Sequence, residues 1–224
     1  TQQHYFNCGS AADLDDLNKA TFMMWLNPTT VTANNFIINK GALLTSVRIG
    51  NTANKTIIIV RDFTTTDLSY TSPLGFLVPG LNEFIAWSVD TSGAALGRVK
   101  FYQGFSTSTA IERADSARTD NVGGQIPDAS STFFIGNATF SSQPSVGYDI
   151  QKMMISTGVL TLAEIQDQQF TPHITTATVA YWDFSNNASS PTIYDLTGRG
   201  NNCTGVGIVD STASSAFTFN QGVP

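Results

Sequence analysis

Short runs of β-branched and aromatic residues, each closed by Gly, Asn, Asp or Pro, recur along this chain at intervals of about ten residues. TFMMWLN stops at Pro28, and NNFIINKG, ALLTSVRIG and KTIIIVRDF follow it. Such runs fit a pleated, half-buried surface, and the residues between them supply turns. The rhythm predicts an all-β chain of two packed antiparallel sheets. Residues 83–90 alternate, with Ile85, Trp87 and Val89 on one side and Phe84, Ala86 and Ser88 on the other. After a turn at Asp90–Gly93, residues 98–104 put Val99 and Phe101 inward and Arg98, Lys100 and Tyr102 outward, which predicts a hairpin. TATVAYWDF at 176–184 is a further strong strand. The stretch 64–80 is expected to be a loop with few core residues. The Ser, Thr, Asp and Gly-rich stretch 104–131 is expected to hold at most one short strand, around Ala110–Arg113.

One segment breaks the β rhythm. Between residues 132 and 170, an FFI run ends at Gly136-Asn137, a second apolar run spans Tyr148 to Ser156, and Thr161-Leu-Ala-Glu164 follows. Thr161 with Glu164 reads as a capping box, in which each side chain bonds the other residue's backbone N–H. Leu162 and Ile165 then lie on one face of a short helix near 161–168, which can dock on a sheet. Pro172 marks its far boundary. No internal repeat or linker divides the chain, so residues 1–224 are expected to form a single domain, with 176–224 contributing closing or edge strands.

The 224 residues are enough for a sizeable core. A net charge of −6, with only 12% of residues charged, argues against nucleic acid, which requires clustered cations. No apolar run of about 18 residues exists, so no membrane span is expected. The opening TQQHYFNCGS lacks a basic-then-apolar leader pattern, and Thr1 fits either loss of an initiator Met or a cleaved leader. Cys8 and Cys203 lie near opposite ends; a disulfide between them and two buried free thiols are both open readings. Their setting does not suggest zinc. Asp13, Asp15 and Asp16 cluster in a polar loop, where a solvated turn is the expected outcome and calcium the alternative. Asn-x-Ser/Thr triplets begin at Asn54, Asn137, Asn187 and Asn202.

Catalytic chemistry has little to stand on. The only glutamates are Glu83, Glu112 and Glu164, far apart, and Glu164 is accounted for as a cap. His4 and His173 have no Ser or Cys setting that suggests a triad. We expect no enzyme.

The order of motifs resembles the laminin G-like, concanavalin A-like jelly roll. ATFMMWLNP with Trp25, NFIINKGA, the hairpin NEFIAWSVDTSGAALGRVKFYQG, then FFIGN, YDIQKMMIS and LTLAEIQ follow that family's series. VAYWDFSNN and IYDLTGRGNNCTG resemble its tryptophan strand and the Asp-x-x-Gly-x-Gly-Asn turn after it, though here they come last. The resemblance implies a two-sheet antiparallel jelly-roll sandwich. Members of this broad fold bind sugars, calcium or proteins, or cleave polysaccharides with carboxylates spaced Glu-x-Asp-x-x-Glu, a run absent here. It implies a structural calcium, with Asp149 as first candidate ligand and Asp195 as second. For Asp195 an Asx cap of its own turn is the competing account.

A sugar site needs an exposed aromatic face beside amides and carboxylates. Trp25, Trp87 and Trp182 are expected in the core, which leaves Tyr102 as the candidate carbohydrate-binding aromatic. The loops 104–131 and 137–147 could supply hydrogen bonds. Two functions follow. One is a structural or decoration protein on a virion or phage surface, able to bind carbohydrate or a cell surface and to assemble as a homo-oligomer. The other is a secreted lectin-like or adhesion domain. Polysaccharide cleavage is the remote third. Partners are then a cell-surface glycan or other subunits of an assembly, and the location is extracellular or the virion surface.

Overall fold

In the computed structural model the structure describes residues 5–31, 33–41, 45–92, 98–136, 148–184 and 192–206, except the side chains of Asn51 and Tyr148. In chain order the elements are β1 Tyr5–Asn7, β2 Lys19–Pro28, β3 Phe36–Lys40, β4 Thr45–Asn51, β5 Thr56–Arg61, β6 Leu68–Thr71, β7 Glu83–Asp90 and β8 Val99–Phe105. There follow β9 Ser108–Arg113, β10 Ala117–Thr119, β11 Phe133–Gly136, β12 Tyr148–Thr157, α1 Leu162–Phe170, β13 Thr178–Asp183, β14 Thr192–Ile193 and β15 Cys203–Val206. A single 3-10 turn, Ala12–Leu14, lies before β2. The segment 216–220, AFTFN, one of the closing strands expected within 176–224, and the loop 137–147 lie outside the described residues, as do His4, Asn137 and Asn187.

The strands form two antiparallel sheets, as the sequence rhythm predicts. One has nine described strands in the order β10-β6-β5-β4-β3-β11-β1-β15-β14, and the other six in the order β13-β12-β2-β7-β8-β9. Register explains the core. The row Tyr70–Ile59–Val47–Ile38–Ile135–Phe6 runs across the nine-stranded sheet on its inner face, and every member is at most 2% exposed. Opposite it, Phe22, Ile85, Trp87 and Phe101 point in from the six-stranded sheet. Phe22 stacks on Trp87 at 5.3 Å, and Phe133 on Trp182 at 6.1 Å. The three tryptophans are buried as expected.

Two stretches differ from the sequence expectation. Residues 64–80 carry β6, with Leu68 and Tyr70 fully buried, and Phe76 and Leu77 are buried beyond it. Only two core-facing residues alternate in so short a strand, too few to stand out in sequence. Residues 104–131 hold two strands, β9 and β10. β10 pairs with β6 through its backbone while its side chains stay exposed, so it leaves no apolar pattern to read.

Cys8 and Cys203 form a disulfide and are nearly inaccessible. The antiparallel register Asn7↔Thr204 brings the two residues opposite each other on β1 and β15. The bond closes a loop of 195 residues, worth about 4–5 kcal/mol in the chain-entropy account.

The helix lies on the outer face of the six-stranded sheet and buries a second apolar layer. Met23, Trp25, Phe84, Ala86, Tyr102, Ala110 and Met154 pack there with Ile165. The predicted capping box is present: Glu164 N–H donates to Thr161 Oγ1 (3.3 Å), and Thr161 N–H donates to Glu164 Oε2 (2.7 Å). At the other end, Trp25 Nε1–H donates to the carbonyl of Gln169 (2.8 Å). The Gln169 side chain is itself a fork. Its oxygen accepts from Ala110 N–H (2.7 Å), and its nitrogen donates to the carbonyls of Phe105 (3.0 Å) and Ser108 (2.9 Å). Gly104 makes room for this, because a Cβ there would sit 2.6 Å from Gln169 Nε2 and 2.8 Å from the Ala110 backbone nitrogen.

Candidate functional site

Helix placement decides the fate of the predicted aromatic. Tyr102 points outward from β8 as the alternation required, but outward here means under α1, and it is 2% exposed. The expectation of an exposed sugar-stacking ring at Tyr102 is therefore corrected. Alternation tells which side of a strand a residue takes, not what later covers that side. Among the described residues the exposed aromatic is Tyr194, 60% exposed, in the turn after β14. The signal for it was present in sequence, since Tyr194 alternates against the buried Ile193.

The two calcium candidates sit in different settings. Asp195 is 7% exposed, and its carboxylate is already surrounded by donors. It accepts from the backbone N–H groups of Tyr181 (3.1 Å), Thr197 (3.0 Å) and Asn201 (3.2 Å) and from the Thr197 hydroxyl. That is the Asx-cap reading, and donors aimed at both oxygens are the wrong lining for a cation. Tyr181 N–H sits on the outer edge of β13, so Asp195 also blunts a free sheet edge. Asp149 is 5% exposed at the start of β12, opposite Asn27. Among the described residues, no three His, Cys, Asp or Glu side chains gather into a metal-holding group.

The aspartates at 13, 15 and 16 are not a freely solvated turn. Asp15 and Asp16 belong to a buried ion knot at one end of the sandwich. The inner-face row Leu68–Arg61–Thr45–Lys40–Phe133 places two cations inward from the nine-stranded sheet. Lys40 Nζ donates to the carbonyl of Leu14 (2.5 Å), to Asp15 (2.6 Å) and to Asp128 (2.9 Å). Asp128 also accepts from Asp16 N–H (2.7 Å) and Thr45 Oγ1 (3.2 Å), and lies 3.9 Å from the Arg61 guanidinium. Burial lowers the Arg61 pKa, while Asp128 and Asp16 act to raise it. Asp13 instead pairs on the surface with Arg199 at 3.4 Å. The knot fastens the segment after β1 and the loop before β11 over the core, and its donors and acceptors are matched.

Glu83 and Glu112 are no better placed for a shared reaction. Glu83 is fully buried on the inner face, where its two oxygens accept from Val78 N–H (3.0 Å) and Gln103 Nε2 (3.1 Å). Desolvation pushes its pKa up to about 7, against the lowering effect of those two bonds. Glu112 pairs with Lys100 at 3.2 Å on the surface. The registers Glu83↔Leu26 and Tyr102↔Glu112 put the two carboxylates on opposite faces of the sheet.

Among the described residues an open cleft of about 320 Å³ lies between α1, the segment 173–177 and the end of β12. Leu160 and Ala177 give it apolar wall, and Ser156, Glu164, Asp167, Gln168, His173 and Thr175 give it polar groups. The loop is held from within the helix. Gln168 Oε1 accepts from His173 N–H (2.9 Å), and Gln168 Nε2 donates to the His173 carbonyl (3.1 Å). His173 Nδ1 lies 3.1 Å from the Thr171 carbonyl, which can only accept, so in the neutral ring the proton belongs on Nδ1. His173 Nε2 is then an acceptor, 3.3 Å from Gln168 Nε2 and 3.7 Å from Asp167 Oδ2. Thr175 Oγ1 accepts from Ala177 N–H (3.2 Å), and Thr157 N–H donates to the Ala177 carbonyl (2.8 Å), which ties the loop to β12. Sequence reading placed the helix and found His173, but not their meeting, which depends on Gln168 folding back across Pro172.

No family model matches the chain, and no curated protein matches it. Solved structures do. The chain is similar to a candidate carbohydrate-binding protein from Bacteroides ovatus, at 17% identity and a TM-score of 0.58, over 91% of this chain and 55% of that one. It is similar to full-length tailspike protein 2 of a bacteriophage of Escherichia coli O157:H7, at 13% identity and a TM-score of 0.53, over 82% of this chain and 25% of that one. It is also similar to a heptameric pentraxin from Limulus polyphemus, at 8% identity and a TM-score of 0.50, over 92% and 95%. The chain thus spans about half of the first protein and a quarter of the second. Likeness at such identities speaks to architecture, and the architecture is a two-sheet jelly-roll sandwich.

Proposed function

We propose that this chain is a non-catalytic recognition module that binds carbohydrate in the cleft beside α1. The cleft carries the reading: it has the volume of a small-ligand site, and it mixes apolar wall with hydroxyl, amide, imidazole and carboxylate groups. Sugars need that mixture, because each hydroxyl must find a donor or acceptor while the C–H faces need apolar contact. The similarity to a candidate carbohydrate-binding protein is in keeping with it. Within this fold, the order of sequence motifs favours the laminin G-like branch. The Cys8–Cys203 disulfide favours an extracellular location, since such bonds persist in oxidising compartments.

A glycan array followed by calorimetric titration tests the proposal. Micromolar-to-millimolar binding of a defined saccharide, lost in Asp167→Ala and His173→Ala, is the expected result. A folded protein that binds no saccharide would overturn it.

The likeness to a tailspike favours a second reading, that of a virion-surface component. A stable trimer or pentamer in light scattering, with no glycan bound, would decide for it.

A further inference from the structure

We infer that the cleft is selective for saccharides carrying a free amine, with the ammonium held by Asp167; this rests on the carbohydrate reading above. Two observations lead there independently. The first is the charge of the lining. Glu164 and Asp167 are its carboxylates, and neither Lys nor Arg lines it. Hydrogen bonds from Thr161 lower the pKa of Glu164, so its charge is present at neutral pH. Asp167 is 65% exposed at its side chain and makes no hydrogen bond shorter than its 3.7 Å approach to His173. His173 Nε2, the acceptor position of the neutral ring, faces Gln168 Nε2 at 3.3 Å. Arg199 reaches the rim, 3.5 Å from the Thr176 carbonyl, but its charge is matched by Asp13.

The second observation is Ser156. It lines the cleft and is 2% exposed, and among the described residues its hydroxyl makes no hydrogen bond. Buried hydroxyls are ordinarily paired, so this one is available to a ligand oxygen. A lining of two carboxylates, an imidazole acceptor and one free hydroxyl repels a uronic or sialic acid. It accepts a cationic donor and a neighbouring hydroxyl, which a non-acetylated amino sugar supplies.

The test titrates the full chain with three trisaccharides of matched length: glucosamine, N-acetylglucosamine and galacturonate. The glucosamine trisaccharide should bind about three- to tenfold more tightly than the acetylated one, as befits a partly exposed ion pair. The galacturonate should bind most weakly. Asp167→Asn should erase the preference for the amine, so that the glucosamine and acetylated trisaccharides bind alike, whereas Ser156→Ala should weaken both. Raising salt from 20 to 200 mM should narrow the gap. Equal affinity for the first two, a preference for galacturonate, or a preference that survives Asp167→Asn would overturn the inference while leaving carbohydrate binding intact. Absence of binding to all three and to a glycan array would remove both.

Discussion

The knot around Lys40 and the cleft around His173 draw on the same kinds of group, and they treat them in opposite ways. In the knot, three oxygens surround one ammonium, and Asp128 gathers an N–H, a hydroxyl and two cations. In the cleft, among the described residues, the Asp167 carboxylate has only a distant imidazole, and the Ser156 hydroxyl makes no hydrogen bond. Closure accounts for the difference. The knot lies between the sheets, where an unmatched charge would cost several kcal/mol, so only a complete set is tolerable there. The cleft lies outside the layers, where water can serve each group until a ligand does. A cluster of polar residues therefore marks a site only where its bonding capacity is both unspent and reachable.

Breaking the knot should have the largest effect. Lys40→Met leaves Asp15 and Asp128 without their cation and should lower stability by about 3–5 kcal/mol in denaturant unfolding. A loss under 1 kcal/mol would show that the matched bonds are not what holds that end closed.

Gln169→Ala comes next. Its buried fork serves Ala110 N–H and two carbonyls, and removing it should cost roughly 2–3 kcal/mol. Because that fork seats the helix that walls the cleft, saccharide affinity should fall as well. Stability and saccharide affinity should thus fall together in this variant.

Glu83 sharpens the contrast as a buried acid with no counter-charge in contact. Its folded pKa of about 7 lies above the ordinary 4.5. Between those values the folded state holds a proton that the unfolded chain has lost. The contribution of Glu83 to stability is therefore greatest below about pH 4.5 and is lost as pH rises toward and through 7, by up to roughly 3 kcal/mol. In Glu83→Gln that slope should vanish from a pH series of unfolding curves, whatever the variant's absolute stability.

Asp167→Asn should have the smallest effect on the fold, within about 0.5 kcal/mol of the parent, as an exposed helical position with no hydrogen bond to lose.

These expectations also mark what could be read from the chain alone. Alternation in β7 and β8 gave the right face for Ile85, Trp87, Phe101 and Tyr102, and Thr161 with Glu164 gave the helix start. Local patterns suffice where the cause is local. The burial of Tyr102, the inward turn of Lys40 and Arg61, and the meeting of Gln168 with His173 depend on which surfaces come to face each other. Lys40 and Arg61 end otherwise apolar strands, a position that in sequence reads as the polar edge of a turn. Their partner Asp128 lies 88 residues beyond Lys40. The fold class was legible because it repeats, whereas the cleft was not, because it forms once, from three segments.

The most direct measurement is a map of backbone amide shifts in the isotope-labelled chain as the amino trisaccharide is added. The account predicts saturable changes centred on Ser156, Asp167, Gln168 and His173, with the knot residues Lys40, Arg61 and Asp128 unmoved. Changes centred instead on the outer face of the nine-stranded sheet, around Ser46 and Asn39, or no changes at all, would contradict it.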